Sequence, residues 1–397
     1  SDLKVVSPLV FFVISWIIVL VTYELHWSSL FPKLNTEVRL FFYGAVLLCA
    51  ILFLSSKPLE FKFEIDEDRT NSILRTCIYI CITCVVIGIY FTGSFPLLSF
   101  LLGTYSYHSG DDNALPFVHI IMFTLSHICV CISFLMYKVT KQIAYLKYLF
   151  LFFLPSILYI SRSNLIFDLM YCIMIGLSLT KLNFKYLFKR VILICISIFA
   201  FLFLFGIVGE LRSGDSNQSD SWIELLTEPT NEFKETGLSP MFLWGYAYVA
   251  SPLANFQYAE NNKQNTTLDD YDVLYYHFLP NFISKRLFPS YKPKSELIVR
   301  YFTVSTVFAD PFLHLGWIGV FYSFFGMLCI ILLLYIMKKN NLFVYLSFIF
   351  FCTIVFFNIF DNMYNYMGAA PQFLTTTLLA FWINKTKKTK LCNARKK

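Results

Sequence analysis

The distribution of apolar residues along the chain is the feature that most constrains its fold. Ten predominantly apolar stretches are each near the ~20 residues that an α-helix needs to cross the hydrocarbon core of a bilayer. Hydrophobic residues make up 57% of the chain and charged residues 14%, which excludes an ordinary soluble domain. The predicted spans are 5–23, 40–54, 73–91, 116–137, 145–160, 165–180, 191–209, 312–337, 342–359 and 366–383. The sequence therefore predicts an all-α polytopic membrane protein.

The basic residues indicate how these spans are oriented. Lys and Arg occur in the connections after the second, fourth, sixth and eighth spans and in the C-terminal tail, whereas the connection 92–115 contains neither. By the positive-inside rule the basic segments and both termini face the cytoplasm, and the other connections face outward. The net charge of +7 is explained by this topology, so no nucleic-acid partner is expected.

One outward connection is far longer than the others and divides the chain into three regions. Residues 1–209 hold seven spans, residues 210–311 form the long outer loop, and residues 312–397 hold the last three spans and the basic tail. Within the loop, 237–258 and 275–288 are rich in apolar and aromatic residues, which predicts helices that lie in or dip into the membrane interface. The alternative, that 237–258 is an eleventh span, would place the basic tail outside.

Arginines at outward span ends are the first candidate binding residues. Arg162 lies in a short turn between two spans, and Arg212 follows the seventh span. An outward Arg opposes the topological bias, so we interpret both as ligand-binding, with a lipid-headgroup contact as the alternative. Arg286 and Arg300 add two guanidinium groups in the loop, where nearby lysines make a headgroup-binding patch an equal alternative. Because guanidinium groups grip diphosphates bidentately, the expected ligand is an anionic, lipid-linked molecule.

Candidates for proton transfer and sugar binding are fewer. His277 is the only histidine of the long loop and is the first candidate for a general base, with Glu210 and Asp310 as alternatives. Tyr248 is a candidate for stacking on a sugar ring, although anchoring at the interface is the competing interpretation. The chain has no nucleotide-binding glycine motif. Because guanidinium groups can stabilise a diphosphate without a metal, we predict no metal, and we predict no organic cofactor.

The layout and several short motifs together resemble a known family, the O-antigen polymerases often called Wzy. The resemblance covers nearly the whole chain and depends on one dominant outer loop before the last three spans. The segments that carry it are Ser161-Arg162-Ser163, Glu210-Leu211-Arg212-Ser213, Tyr248–Asn255, Asp310 and Leu315-Gly316-Trp317-Ile318-Gly319.

This resemblance implies a GT-C-like glycosyltransferase of the bacterial inner membrane, with its active site facing the periplasm. Undecaprenyl-diphosphate-linked oligosaccharides would be both donor and acceptor, the lipid bilayer would surround the spans, and a chain-length regulator is a candidate protein partner. The related O-antigen ligases carry a catalytic His eleven positions before a Gly-x-x-Gly pattern. In this chain the pattern opens at Gly316 and Ser305 occupies that position. The resemblance therefore favours a polymerase over a ligase.

Other classes of membrane protein remain as alternatives. The arginine-x10-glycine spacing described in one polymerase branch does not follow any of the four arginines, so only their general role is carried over. A flippase or transporter for the same lipid would share the spans and arginines, but it would not need the long one-sided loop and more often shows two related halves. An acyltransferase should place a His-centred catalytic pair beside its donor, and no clear pair is visible.

Overall fold

The computed structural model consists of helices joined by short connections, with two very short strands. It describes residues 3–4, 7–56, 60–61, 63, 65–93, 95–102, 115–179, 222–262, 271–337 and 340–394. Helices suit so apolar a chain because each satisfies its backbone hydrogen bonds internally, which hydrocarbon surroundings require.

The chain divides into two runs of elements on either side of residues 180–221. The first run contains β1 (Leu3–Lys4), α1 (Pro8–Tyr23), α2 (Thr36–Ser55), β2 (Glu60–Phe61), α3 (Glu67–Thr92), α4 (Pro96–Leu101), α5 (Pro116–Thr140), α6 (Ala144–Leu158) and α7 (Arg162–Leu179). The second run contains α8 (Trp222–Thr227), α9 (Asn231–Glu235), α10 (Met241–Asn261), α11 (Asp272–Tyr276), α12 (Asn281–Leu287), α13 (Ala309–Leu315), α14 (Trp317–Ile336), α15 (Leu342–Phe357) and α16 (Ala370–Ala394).

Apolar helices coincide with nine of the predicted spans. Among the described residues, five helices (α2, α3, α5, α7 and α14) are long and apolar enough to cross a membrane, and the apolar parts of α1, α6, α15 and α16 are shorter. An all-α protein with membrane-spanning helices is therefore confirmed. The predicted seventh span, 191–209, lies outside the described residues, so the total of ten spans stays a prediction.

Local capping residues fix where several of these helices begin. The Ser7 hydroxyl accepts a hydrogen bond from the Leu9 amide at 3.2 Å, with Pro8 in the first turn of α1. The side chain of Asn35 accepts from the Val38 amide at 2.9 Å to cap α2, and Asp66 accepts from the Arg69 amide at 3.1 Å to cap α3. These side chains satisfy amides that have no partner within the helix.

The bundle has two distinct ends. At one end β1 and β2 pair antiparallel, with Leu3 opposite Phe61, so the segments that precede α1 and follow α2 lie together. At the other end the connection 358–369 lies near the segment before α13 and the connections between α1 and α2 and between α8 and α9, and we call this end the 358–369 face. Backbone hydrogen bonds hold it together: Val307 donates to Asn358 at 2.9 Å, and Thr230 donates to Trp27 at 3.1 Å.

The predicted eighth span, 312–337, is wrong at its start. Gly316 has a φ of 60°, a conformation that favours glycine, and it separates the short helix α13 from α14. The two helices then pack so closely that a Cβ atom at Gly319 would collide with the carbonyl group of Pro311. The membrane-spanning helix therefore begins at Trp317.

Most of segment 237–258 lies in helix α10. This helix is more fully buried by the rest of the protein than we expect of a helix at the membrane interface. Ala250, Leu253, Ala254 and Phe256 are fully buried, with 0% exposure. The Phe256 ring lies 5.5 Å from that of Phe42 in α2. The C-terminal end of α10 is fixed at the 358–369 face, because its Gln257 side chain accepts a hydrogen bond from the backbone of Asn35 at 2.9 Å. Helix α10 is thus part of the packed bundle.

Compartment reporters can test the orientation of this bundle. We expect a reporter inserted after Asn262, which follows α10, and one inserted after Asn340, which precedes α15, to report opposite compartments, because the basic connections should remain in the cytoplasm. Paired phosphatase and fluorescent-protein fusions at each site provide the measurement. If both positions report the periplasm, then α10 crosses the membrane and the predicted topology is incorrect.

Candidate functional site

The connection between α15 and α16 is the hub of the candidate site. Its sequence, Asn358 to Ala369, contains three asparagines, an aspartate and two tyrosines between two apolar helices. Residues from several distant parts of the chain bind to it. Asn358 and Asn365 accept backbone hydrogen bonds from Val307 and Asn281, both at 2.9 Å, Tyr366 shares one with Ser163 at 2.7 Å, and Asn362 binds His277 at 3.1 Å. The hub therefore joins α7, α12 and the segment before α13 at one face.

His277 is fully buried, and both of its ring nitrogens are engaged. The Asn362 amide nitrogen donates to Nδ1 at 3.1 Å, so Nε2 carries the proton and donates to the Ser323 hydroxyl at 2.7 Å. Burial lowers the pKa of His277 to about 4, and the nearby negative charge of Asp310 opposes that shift in part. The imidazole is thus neutral and enclosed. Contact with an acceptor hydroxyl would first require this network to open.

Asp310 contacts His314 and lies near enough to His277 to influence it electrostatically. One carboxylate oxygen accepts a hydrogen bond from the Tyr291 hydroxyl at 2.6 Å, and the other accepts from the Lys294 amide at 2.8 Å. His314, buried one turn further along α13, places its Nε2 3.3 Å from the carboxylate. The structure therefore brings two predicted residues, His277 and Asp310, into one neighbourhood, and Asp310 is largely occupied by protein groups.

Asp361 is the carboxylate of the hub that solvent reaches. Its side chain is exposed, yet desolvation by the surrounding protein, aided by the charge of Asp310, raises its pKa. An exposed carboxylate with a raised pKa is suited to accept a proton from a substrate hydroxyl.

Two of the predicted arginines lie on elements that the hub holds. Arg162 is exposed at the first residue of α7, next to the Ser163 that binds Tyr366. Arg286 in α12 lies over the ring of Phe117, 4.6 Å from its centroid, and donates to the backbone carbonyl of Phe282 at 2.6 Å. Both guanidinium groups thus belong to the 358–369 face.

The other predicted residues are less directly connected. Arg300 is exposed in the segment before α13. Tyr248 is half exposed, and its ring centroid lies 6.2 Å from that of Phe360 in the hub. Glu210 and Arg212 lie outside the described residues, so their proposed roles stay predictions.

Sequence reasoning missed the residues that build the hub and a polar pair inside the helices. Asp361 and Asn362 do not belong to a recognised motif. The Asn- and Tyr-rich run between two apolar helices is nevertheless a signal that this connection makes polar contacts. Asp168 was overlooked within a predicted span, where an ionisable residue is itself a functional signal. The structure pairs it with His127, with 2.5 Å between Nδ1 and Oδ1.

The fold and the site define a class: an all-α protein with membrane-spanning helices and a polar, arginine-bearing site at one end of the bundle. Within the described part of the chain, no group of three or more His, Cys, Asp or Glu residues is arranged to hold a metal ion. Comparison of the chain with family models, curated proteins and solved structures gave no match.

The depressed pKa of His277 predicts a dependence of stability on pH. Because the unfolded histidine binds a proton below about 6.5 and the folded one only below about 4, stability should be complete above pH 6.5 and decline as the pH falls toward 4. Between pH 7.5 and 5.0 the protonation of His277 should lower the free energy of unfolding by about 2 kcal/mol. Thermal unfolding of the detergent-solubilised protein at both values provides the measurement.

A matched variant isolates the contribution of this residue. His277→Gln keeps a donor for Ser323 and an acceptor for Asn362 but cannot be protonated in this range. Its unfolding temperature should fall less than that of the wild type over the same pH interval. Equal losses in both proteins would show that His277 is not the group responsible.

Proposed function

We propose that this protein is a glycosyltransferase that polymerises undecaprenyl-diphosphate-linked O-antigen repeat units at the periplasmic face of the bacterial inner membrane. The observation that carries the proposal is the gathering of Arg162, Arg286, Asp310 and Asp361 around the 358–369 hub. This face is opposite the end where β1 and β2 pair. The α5–α6 connection, with Lys138 and Lys141, lies toward that other end, where Gln142 binds Glu67 at the start of α3. The resemblance of the layout and of the Arg162 turn to O-antigen polymerases supports the same reaction.

The arginines would act on the leaving group. Transfer of a glycan from a lipid diphosphate breaks the bond between the anomeric carbon and a phosphate oxygen, and the electron pair leaves with the diphosphate. Exposed guanidinium groups such as those of Arg162 and Arg286 can stabilise that developing charge directly, with two hydrogen bonds each. Arg300, which is also exposed, would extend this cationic surface, and the same role is proposed for Arg212 from its place in the sequence.

A carboxylate would act on the acceptor. The attacking hydroxyl of the second glycan forms the new glycosidic bond and must lose its proton, which a nearby base receives. Asp361 is better placed for this step than His277, because its carboxylate is exposed and the imidazole is enclosed by Ser323 and Asn362. Tyr248, beside the hub residue Phe360, is available to stack on a sugar ring.

An apolar groove supports a lipid-linked substrate. It lies between α2 and α14, has a volume of about 480 Å³, and runs from Glu37 and Trp317 at the 358–369 face to Leu48. From Glu37 to Leu48 the helix rises about 16 Å, or half of a ~30 Å hydrocarbon core. A hydrocarbon chain bound there would belong to the leaflet whose headgroups lie at the 358–369 face.

The O-antigen ladder of a strain that lacks this gene tests the proposal, together with Arg162 variants returned on a plasmid. The deletion should leave single-unit caps, and the wild-type gene should restore the ladder. Loss of all O-antigen in the deletion would instead indicate a ligase or a flippase. An unchanged ladder in the deletion would contradict a role in this pathway.

In the same strain, Arg162→Ala should reduce polymerisation about 30- to 1000-fold, because one charge-assisted contact in the transition state is worth about 2–4 kcal/mol. Arg162→Lys should restore little of the polymerisation, since an ammonium group cannot form the two parallel hydrogen bonds of a guanidinium group. Arg39→Ala is the matched control at the same face, because that guanidinium is paired with Glu24 at 3.2 Å. A normal ladder from Arg162→Ala at normal expression would remove Arg162 from the mechanism.

Variants of Asp361 test the proton acceptor. Asp361→Asn should reduce the rate in a reconstituted assay about 100-fold or more, and Asp361→Glu should recover part of it. Because the base must be ionised, the wild-type rate should decline as the pH falls through the raised pKa of Asp361. Asp66→Asn, which keeps a capping residue at the opposite end of the bundle, is the control. If Asp361→Asn works at the wild-type rate, the base is another group.

A further inference from the structure

A fully buried polar network lies within the apolar helices, beneath the candidate site. His127 in α5 and Asp168 in α7 have 0% side-chain exposure, with 2.5 Å between Nδ1 and Oδ1. The Ser156 hydroxyl of α6 donates to the second oxygen of Asp168 at 3.1 Å, and the Asn164 oxygen lies 3.4 Å from His127 Nε2. Three neighbouring helices are thus tied together by polar side chains.

The arrangement of these atoms fixes the net charge of the pair. Since Asn164 presents its oxygen to Nε2, that nitrogen carries a hydrogen, and the remaining proton lies between Nδ1 and Oδ1. The pair is neutral overall wherever that proton is held. A neutral pair with every polar group bonded is the form in which ionisable side chains are tolerated among apolar helices.

Such a pair is poorly explained as a source of stability. Removing two ionisable groups from water costs free energy that their mutual attraction only roughly recovers, so apolar residues of similar size are often as stable or more so. The best-attested use of a buried polar pair is to fix the register of one helix against another. The question is therefore what the register of α7 controls.

The start of α7 connects this network to the candidate site. Arg162 is the first residue of α7, and Asn164 lies within the same turn. On its far side Asn164 is confined by the hub, because a Cβ atom at Gly368 would lie only 2.6 Å from the Asn164 oxygen. Ser163 is held by Tyr366 at 2.7 Å. The turn that carries Arg162 is thus clamped between His127 and the 358–369 hub.

We propose that the His127–Asp168 pair is a positioning device that holds α7 in the rotation at which Arg162 grips the diphosphate of a polyprenyl-diphosphate ligand. This inference rests on the proposed function of Arg162 and adds two positioning residues, neither of which contacts the ligand. Without the pair, α7 can rotate about its axis and displace Arg162. A displacement of about 1 Å is enough to reduce a reaction rate by up to 100-fold, and the affinity for the diphosphate should fall for the same geometric reason.

The test removes the pair as a unit and measures stability and ligand binding separately. The variant His127→Leu/Asp168→Leu leaves no unpaired buried charge, so its unfolding temperature in detergent should remain within a few degrees of the wild type. Its affinity for farnesyl diphosphate, a short polyprenyl diphosphate used as the probe, should nevertheless fall about tenfold or more and approach that of Arg162→Ala. A role in stability alone would produce the opposite pattern, a lower unfolding temperature with unchanged affinity.

Two further variants keep the test decisive. Ser178→Ala, which removes a 2.6 Å hydrogen bond to Tyr345 at the far end of α7, is the control and should bind the probe normally. If the double leucine variant unfolds, His127→Gln/Asp168→Asn retains hydrogen-bonding groups and should show an affinity between those of the wild type and Arg162→Ala.

The outcomes separate the two proposals. Wild-type affinity in a folded pair variant overturns the positioning role, and so does wild-type affinity in Arg162→Ala. The glycan ladder of the deletion strain is an independent result: an unchanged ladder overturns the polymerase function, whatever the probe binds.

Discussion

The set of hydrogen bonds made by the connection 358–369 is the constraint on which the rest of the 358–369 face depends. A membrane bundle can satisfy its backbone within each helix, but the segments between helices need partners of their own. Asn358, Asn362, Asn365 and Tyr366 supply these partners to segments far away in the chain. Each bond fixes a segment that carries a functional candidate, so one short loop determines where Arg162, Arg286 and Asp310 lie relative to one another.

The sequence was most informative where hydropathy alone decides structure. Nine apolar stretches became helices because a run of such residues in hydrocarbon surroundings has few alternatives to a helix. The start of the span predicted at 312–337 was wrong because hydropathy does not register a break at Gly316, where the backbone turns although both flanking segments are apolar. In helix α10 the composition was misleading in another way. Its aromatic residues resemble those of an interfacial helix, but in the tertiary structure they pack on Phe42 and Phe31.

The candidate site could be predicted in part for the same reason. Arg162 was identifiable because a guanidinium group at a span end that is predicted to face outward opposes the usual distribution of charge in membrane proteins. The environment of His277 was not, since its partners Ser323 and Asn362 are 46 and 85 residues away. The sequence marks a histidine as titratable, but the desolvation that lowers its pKa depends on residues that the fold brings together. The signal for Asp168 is present in the sequence, because a lone acid within an apolar helix is uncommon unless it is paired.

Burial divides the ionisable residues of this face into two groups with different capacities. His277 and His314 are enclosed by protein, and the imidazole of His277 holds neighbouring elements together through Ser323 and Asn362. The guanidinium groups of Arg162 and Arg286 and the carboxylate of Asp361 are exposed. Any chemistry at the hub would therefore depend mainly on these exposed guanidinium groups and on the Asp361 carboxylate. For a substrate whose leaving group is a diphosphate this is sufficient, because stabilising charge on the leaving group is the larger requirement and the acceptor hydroxyl needs only a weak base. The His127–Asp168 pair belongs to the enclosed group as well, so its side chains are not available to a ligand at this face.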